Sequence, residues 1–349
     1  MHRHQGRVWM IHIEISDRFR TTASCLLLTS YADENLEHHV AHPMRARVLA
    51  AAGSQWNHPC AELFREQVSA GRFGSDFYSL TAWLSPSSPF SYTVPTEQLA
   101  QATLSTPMKK FVAESDYPGL LTSFCQDAGL PELWRSLEAE WTQVRDQCRA
   151  ALGRYDVENW MDSFWGRSPK RLVLVPNPTD PPTFGFGPSN RTEALCIIGP
   201  PAVAKSTPEE GRNELFDYGR GDSVADLVVH EFGHTYLVQA REAITILAGQ
   251  TEDVGQALEL KDWFPEMYGD WTLRLQEVIL RAVQAVWRAE RVSRDSADAF
   301  IQEQTHRFGL ALLPSIYRLL LDRRKTGEQL RPEGVVETAV AALHQSRYS

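Results

Sequence analysis

The residues His230-Glu231-Phe232-Gly233-His234 carry two imidazoles and a carboxylate in the HExxH spacing. On a helix, residues four apart lie one above the other on the same face. Both rings can then reach a single metal ion, with Glu231 beside them on the same side of the turn. Zinc suits such a site, because it takes neutral imidazole nitrogens at about 2.0–2.1 Å in a tetrahedral shell. It also lowers the pKa of a bound water to about 7, and an adjacent glutamate can take the proton. The chemistry would be attack of an activated water on an amide carbonyl.

That geometry needs a helix, and the flanking residues predict one over Ser223 to Gln250. Ser223 to Asp226 has the form of a capping box with Asp in place of Glu or Gln, and Asp222 is a competing cap. Val224, Leu227, Val228, Leu237 and the run at 244–247 are apolar at helical spacing, and no proline interrupts. Gly233 costs about 1 kcal/mol against alanine inside a helix. Its presence points to close approach by another backbone or a ligand.

A catalytic zinc takes three protein ligands and leaves one position open. The HExxHxxGxxH pattern is absent, since Leu237 and Ala240 stand where its glycine and third histidine would be. The remaining common solution is a later glutamate: Glu252, Glu259, Glu266 or Glu277. Glu277 leads, because apolar residues of WTLRLQEVILRAV flank it and would press it inward, where a carboxylate needs a partner. The plain alternative for Glu277 is an ion pair with Arg281 four residues on. Glu266 is the second candidate, while Glu252 and Glu259 read as solvated. Tyr218, Tyr236, Tyr268 and His306 are the groups available to stabilise an oxyanion, and Tyr236 should point away from the metal face.

HEFGH followed by the distant glutamate of EVILRAV resembles the gluzincin-type zinc metallopeptidases. More narrowly, the chain resembles an uncharacterised bacterial family of predicted zincin-like peptidases. The resemblance covers the HExxH region with the strands before it and the Glu277 helix. It extends only loosely to the N-terminal IHIEIS and HPCAELFREQ. It implies a helix–helix zinc site behind a small sheet, with His230, His234 and Glu277 as ligands and Glu231 as the base. Many gluzincins carry an acid four residues after the glutamate to orient a ligand histidine; here that position is Arg281. Glu266 does have such a partner in Asp270. With Glu277 as ligand, support for the histidines must come from elsewhere, leaving Arg281 to grip a substrate carboxylate or the oxyanion.

The rest of the chain bounds the partners. Of 349 residues, 43% are hydrophobic and 23% charged, which is ordinary for a globular protein. The net charge of −9 argues against nucleic acid, whose phosphates need a basic face. Ten tryptophans read as core residues. Five widely spaced cysteines without a CxxC pair argue against a cysteine zinc site or a disulfide framework. No secretory signal and no long apolar run are visible, so a reduced, cytoplasmic setting without a membrane is expected.

Periodicity predicts a mostly helical α+β protein. Arg7 to Ser16 alternates as a strand with His12 on its wet face, and helices are expected around 17–31, 40–53, 58–70, 97–114, 118–128 and 131–152. His38, His39 and His42, near Glu34 and Glu37, read as a solvated helix end. Residues 84–96 are a Ser- and Pro-rich loop. The boundary is expected near 165: a mainly helical region over 1–165, then a catalytic region over 166–349. Strands at 171–175 and 194–198 would form a small sheet whose outer strand could pair with an extended peptide, and 205–222 would be a surface loop. A polar linker leads to the helix starting near Trp271, and helices around 295–313, 315–323 and 334–346 follow, the first two separated by Pro314. The function expected is peptide hydrolysis by a zinc-bound water. A zinc-binding scaffold without activity, or a zinc hydrolase of a non-peptide amide or ester, are the alternatives; the oligomeric state is open.

Overall fold

A computed structural model describes residues 11–31, 39–71, 74–100, 105–168, 170–203, 216–257, 260–261 and 268–346. The protein is mostly helical α+β with one small mixed sheet. Its contacts divide into two compact units: residues 1–151 with 170–224, and residues 152–169 with 225–349. A single cut at 165 therefore does not describe the chain. The first strand after residue 170 hydrogen-bonds to the N-terminal strand and the later ones join the same sheet, which ties them to the first unit.

In the first unit the strands are β1 (Ile11–Ile13), β2 (Arg171–Pro176), β3 (Gly185–Phe186) and β4 (Glu193–Ile198), in the order β1-β2-β4-β3. β1, β2 and β4 are parallel, with Leu172 opposite Ile11 and Ala194, while β3 runs antiparallel to β4. From their second residue on, β2 and β4 are buried without alternation, as central parallel strands covered on both faces are. The edges fall to β1, where His12 is exposed as expected, and to the two-residue β3.

Nine helices are described in or entering this unit: α1 (Asp17–Leu26), α2 (Pro43–Gly53), α3 (Pro59–Ser69), α4 (Asp76–Thr81), α5 (Thr96–Ala100), α6 (Thr106–Glu114), α7 (Tyr117–Asp127), α8 (Leu130–Ser136) and α9 (Glu138–Arg154). The segment expected as one helix over 131–152 is broken at Leu137, where φ is −104° and ψ 8°. His42 caps α2: its Nδ1 accepts from the Met44 amide at 3.1 Å, and burial pulls its pKa down to about 4. It serves as a neutral cap; His38, Glu34 and Glu37 lie outside the described residues. After β2, the Tyr78 hydroxyl donates to Asp180 Oδ1 at 2.5 Å and accepts from Asn177 Nδ2 at 3.1 Å.

The second unit comprises α10 (Val157–Trp165), α11 (Ser223–Leu237, from Ala225 on), a 3₁₀ turn (Val238–Ala240), α12 (Arg241–Gln250), α13 (Glu252–Ala257), α14 (Trp271–Arg291), α15 (Arg294–Phe308), α16 (Leu313–Lys325) and α17 (Arg331–Ser346). The helix expected to run unbroken from Ser223 to Gln250 thus bends at 238–240. No proline or glycine marks the bend; it brings both the turn and α12 against α17, a tertiary effect that overrides local propensity. α14 is the hub, packing against α12, α15, α16 and α17. α15 ends at Gly309, which takes the left-handed φ of 74°, and Pro314 instead opens α16. No helix among the described residues is long and apolar enough to cross a membrane.

Candidate metal centre

α11 is buried on nearly every side, as a helix apolar all round must be. A polar stripe of Asp226, His230 and His234, at intervals of four, runs along it. α14 presents a matching stripe, Glu277, Arg281, Gln284 and Arg288, inside its otherwise apolar buried face. Leu273, near the start of the helix, is exposed. The two stripes meet in opposite directions, Asp226 with Arg288 at one end and His234 with Glu277 at the other.

At the His234 end, His234 Nε2 lies 3.1 Å from Glu277 Oε1 and His230 Nε2 lies 3.4 Å from Glu277 Oε2. The rings are nearly perpendicular, at 85° with centroids 5.1 Å apart. Among the described residues these three form the one group of His, Cys, Asp or Glu ligand atoms within 4.8 Å of one another. Two donors about 2.05 Å from a common centre at the tetrahedral angle stand about 3.3 Å apart, which the observed spacings bracket. Glu277 is 3% exposed, and its buried Oε2 makes no well-formed hydrogen bond with any of the described residues. Two imidazoles, one carboxylate and an unsatisfied oxygen fit a zinc ion. The His234 side chain is 32% exposed, so solvent reaches the cluster from that side.

The charges are strongly coupled. Burial alone would raise the Glu277 carboxyl, but His230 and His234 outweigh it and hold the group well below the usual carboxylate range. Burial works against a charged His234, yet the neighbouring Glu277 raises its pKa above the ordinary value. Glu231 stands outside the three-ligand cluster, is 7% exposed, and has its carboxyl pushed up by burial against the pull of both histidines. A buried carboxyl with a raised pKa, next to a metal-ready cluster, has the properties of a general base.

Gly233 does mark a close approach, but the neighbour is a side chain: a Cβ there would lie 2.6 Å from Leu280 Cδ2 of α14. The helices meet through this notch. Tyr268, just before α14, faces Glu277; burial first and then that carboxylate raise its hydroxyl far above the normal range. Its backbone is fixed by Arg274 Nε, which donates to the Tyr268 carbonyl at 2.7 Å. Asp270, the partner considered for Glu266, caps α14 by accepting from the Leu273 amide at 2.9 Å.

No protein-family model, no curated protein and no solved structure matches this chain. The site must be read from its own residues.

Several expected residues fall elsewhere. His306 is exposed on α15 and lines a groove of about 610 Å³ between α15 and α16, whose lining includes no residue of the metal cluster. Tyr218 is buried in the first unit near Cys148 and Asp180, and Tyr236 stacks on Trp165 at 5.4 Å. Glu252 is exposed, and Glu259 and Glu266 lie outside the described residues. Arg281 sits 3.9 Å from Glu277 Oε2, donates to Gln304 Oε1, and stacks 5.3 Å from the Phe308 ring centroid. The pair with Glu277 therefore coexists with the cluster.

Three residues of the site were not foreseen in these roles. Gln284 Oε1 lies 3.0 Å from His230 Nδ1, and Gln284 Nε2 donates to Asp226 Oδ2 at 3.1 Å and to the Asp226 carbonyl at 3.3 Å. Arg288 Nε donates to Asp226 Oδ1 at 2.9 Å. The available signal was spacing: Asp226 lies one turn before His230, and Gln284 and Arg288 lie two and three turns beyond Glu277.

Proposed function

We propose that the protein is a zinc-dependent hydrolase, most simply a metallopeptidase, with His230, His234 and Glu277 as ligands and Glu231 as general base. The observation that carries this reading is the 3.1 and 3.4 Å spacing of two imidazole nitrogens from the two oxygens of one buried glutamate. When bound, zinc supplies a Lewis acid that acidifies a water and polarises a carbonyl. Glu231 would take the proton of the attacking water on a carboxylate oxygen and pass it to the leaving amine. The Tyr268 hydroxyl, kept protonated, would donate to the developing oxyanion. Arg281, already engaged by Gln304 and Phe308, would help hold Glu277 in place rather than grip substrate.

Peptide substrates follow from the resemblance to gluzincins, and a cytoplasmic setting from the cysteines, all five of which are buried thiols. The test is metal analysis with the Glu231→Gln variant on peptide and ester libraries side by side. About one zinc per chain, with turnover lost in the variant, is expected. Full activity in Glu231→Gln would remove the base. Zinc without turnover on any library would leave a binding scaffold, and turnover on esters alone a non-peptide hydrolase.

A further inference from the structure

On the zinc reading above, we propose that Gln284 is a positioning residue that keeps the His230 proton on Nδ1, leaving Nε2 bare toward Glu277 and His234. Asp226 and Arg288 fix which way round the Gln284 amide lies. Asp226 offers that amide two oxygens, its carbonyl at 3.3 Å and Oδ2 at 3.1 Å, so the NH₂ group must face it. The amide oxygen then faces His230 at 3.0 Å. An amide oxygen only accepts, so Nδ1 must be the protonated nitrogen, and in a neutral ring Nε2 carries the lone pair. That is the nitrogen within 3.4 Å of Glu277.

The reverse amide would set oxygen against carboxylate and leave buried groups unsatisfied. Asp226 cannot rotate to accommodate it, because Arg288 Nε holds Oδ1 at 2.9 Å. Arg288 is itself held, donating from Nη1 to Ser296 Oγ at 3.1 Å and lying 4.8 Å over the Phe300 ring. Direction thus passes from Arg288 through Asp226 and Gln284 to His230. Metal-binding histidines are commonly oriented by an acceptor on their second nitrogen. Here the acceptor rides on the same helix as the third ligand.

The experiment reads ring nitrogens directly, by long-range ¹H–¹⁵N correlation of the metal-free protein, alongside zinc affinity by chelator competition. In the wild type, at a pH where the ring is neutral, His230 should carry its single proton on Nδ1. Gln284→Met keeps the side-chain length without the carbonyl; the proton should spread over both nitrogens and zinc affinity fall about 10- to 100-fold, with helical circular dichroism unchanged. In Asp226→Asn, Arg288 retains Oδ1 and the new amide nitrogen faces Gln284, so only the main-chain carbonyl still favours the present amide orientation and the proton should shift toward Nε2. If Gln284→Met does not fold, the near-isosteric Asp226→Asn decides alone. A neutral wild-type ring that carries its one proton on Nε2, or the same neutral tautomer in every folded variant, overturns the proposal. A wild type that takes up no zinc would instead sink the metal reading, while the ring nitrogens still report on Gln284.

Discussion

His234 Nε2 and Glu277 Oε1 lie 3.1 Å apart although 43 positions (277 − 234) separate them in sequence, and the carboxylate is almost wholly buried. A buried carboxylate so placed is stabilised by whatever positive charge sits among the three side chains, and removing it should be felt first by a cation. Glu277→Ala is expected to lower bound zinc from about one per chain to near zero. In the wild type, zinc at a hundred times its dissociation constant should add about 2.7 kcal/mol of stability, lost in the variant. Elemental analysis and thermal melts with and without chelator measure both; an unchanged zinc content would remove Glu277 from the site.

Gly233 lets Leu280 into the face of α11, so alanine there should not behave as an ordinary helix improvement. Propensity would favour Ala by about 1 kcal/mol, but Leu280 is packed in the core and moving it costs about 1–3 kcal/mol. Gly233→Ala should therefore destabilise by about 1 kcal/mol and weaken zinc binding as the helices part. Urea denaturation gives the sign, and a stabilised variant would show that Leu280 yields freely.

Tyr268→Phe keeps the ring against its neighbours and deletes the hydroxyl facing Glu277. On the proposed mechanism kcat should fall about 10²- to 10³-fold with KM nearly unchanged. Equal zinc content in both proteins would separate this from loss of the metal, and an unaltered kcat would leave the oxyanion without this donor.

Asp180, far from the metal ligands in sequence, predicts a pH dependence of stability. Burial pushes its pKa up to about 7, against the hydrogen bonds of Tyr78 and Asn177 and the charge of Arg45. The folded chain holds this proton more tightly than the unfolded one, whose carboxyl titrates near 3.8. Its contribution is fully present below about pH 4 and is lost as pH rises to about 7, by about 4 kcal/mol at most. Denaturation at pH 4.5 and 7.5 should show a smaller pH difference in Asp180→Asn; an identical difference would mean the carboxyl ionises normally.

The helix α10 belongs with the C-terminal helices, so a fragment spanning 166–349 should not fold by itself. It would lose the stacking of Trp165 on Tyr236, the Trp160 Nε1 hydrogen bond to Glu290 at 2.8 Å, and the Phe164 carbonyl that accepts from the Leu330 amide at 3.0 Å. Circular dichroism of the fragment, with and without zinc, checks this; a cooperative melt equal to that of the whole chain would contradict it.

What could be read beforehand was what local periodicity encodes. HExxH places two imidazoles on one helical face by spacing alone, and Glu277 betrayed itself as an acid among apolar neighbours. His12 on an exposed strand face followed from alternation. What escaped depends on contacts distant in sequence. Gln284 is an unremarked glutamine until Asp226 and His230, 58 and 54 positions away, give it partners. The bend at Val238–Ala240 has no breaker residue, and the placement of the strand Arg171–Pro176 depends on its pairing with Ile11–Ile13. His306 was chosen for its chemistry alone, which carries no information about direction.

Because Glu277, Gln284 and Arg288 are mounted on one rigid rod, none of their contacts can be adjusted alone. A slide of α14 by a single residue rise, about 1.5 Å, would detune every rung in the same instant, from guanidinium to carboxylate to imidazole.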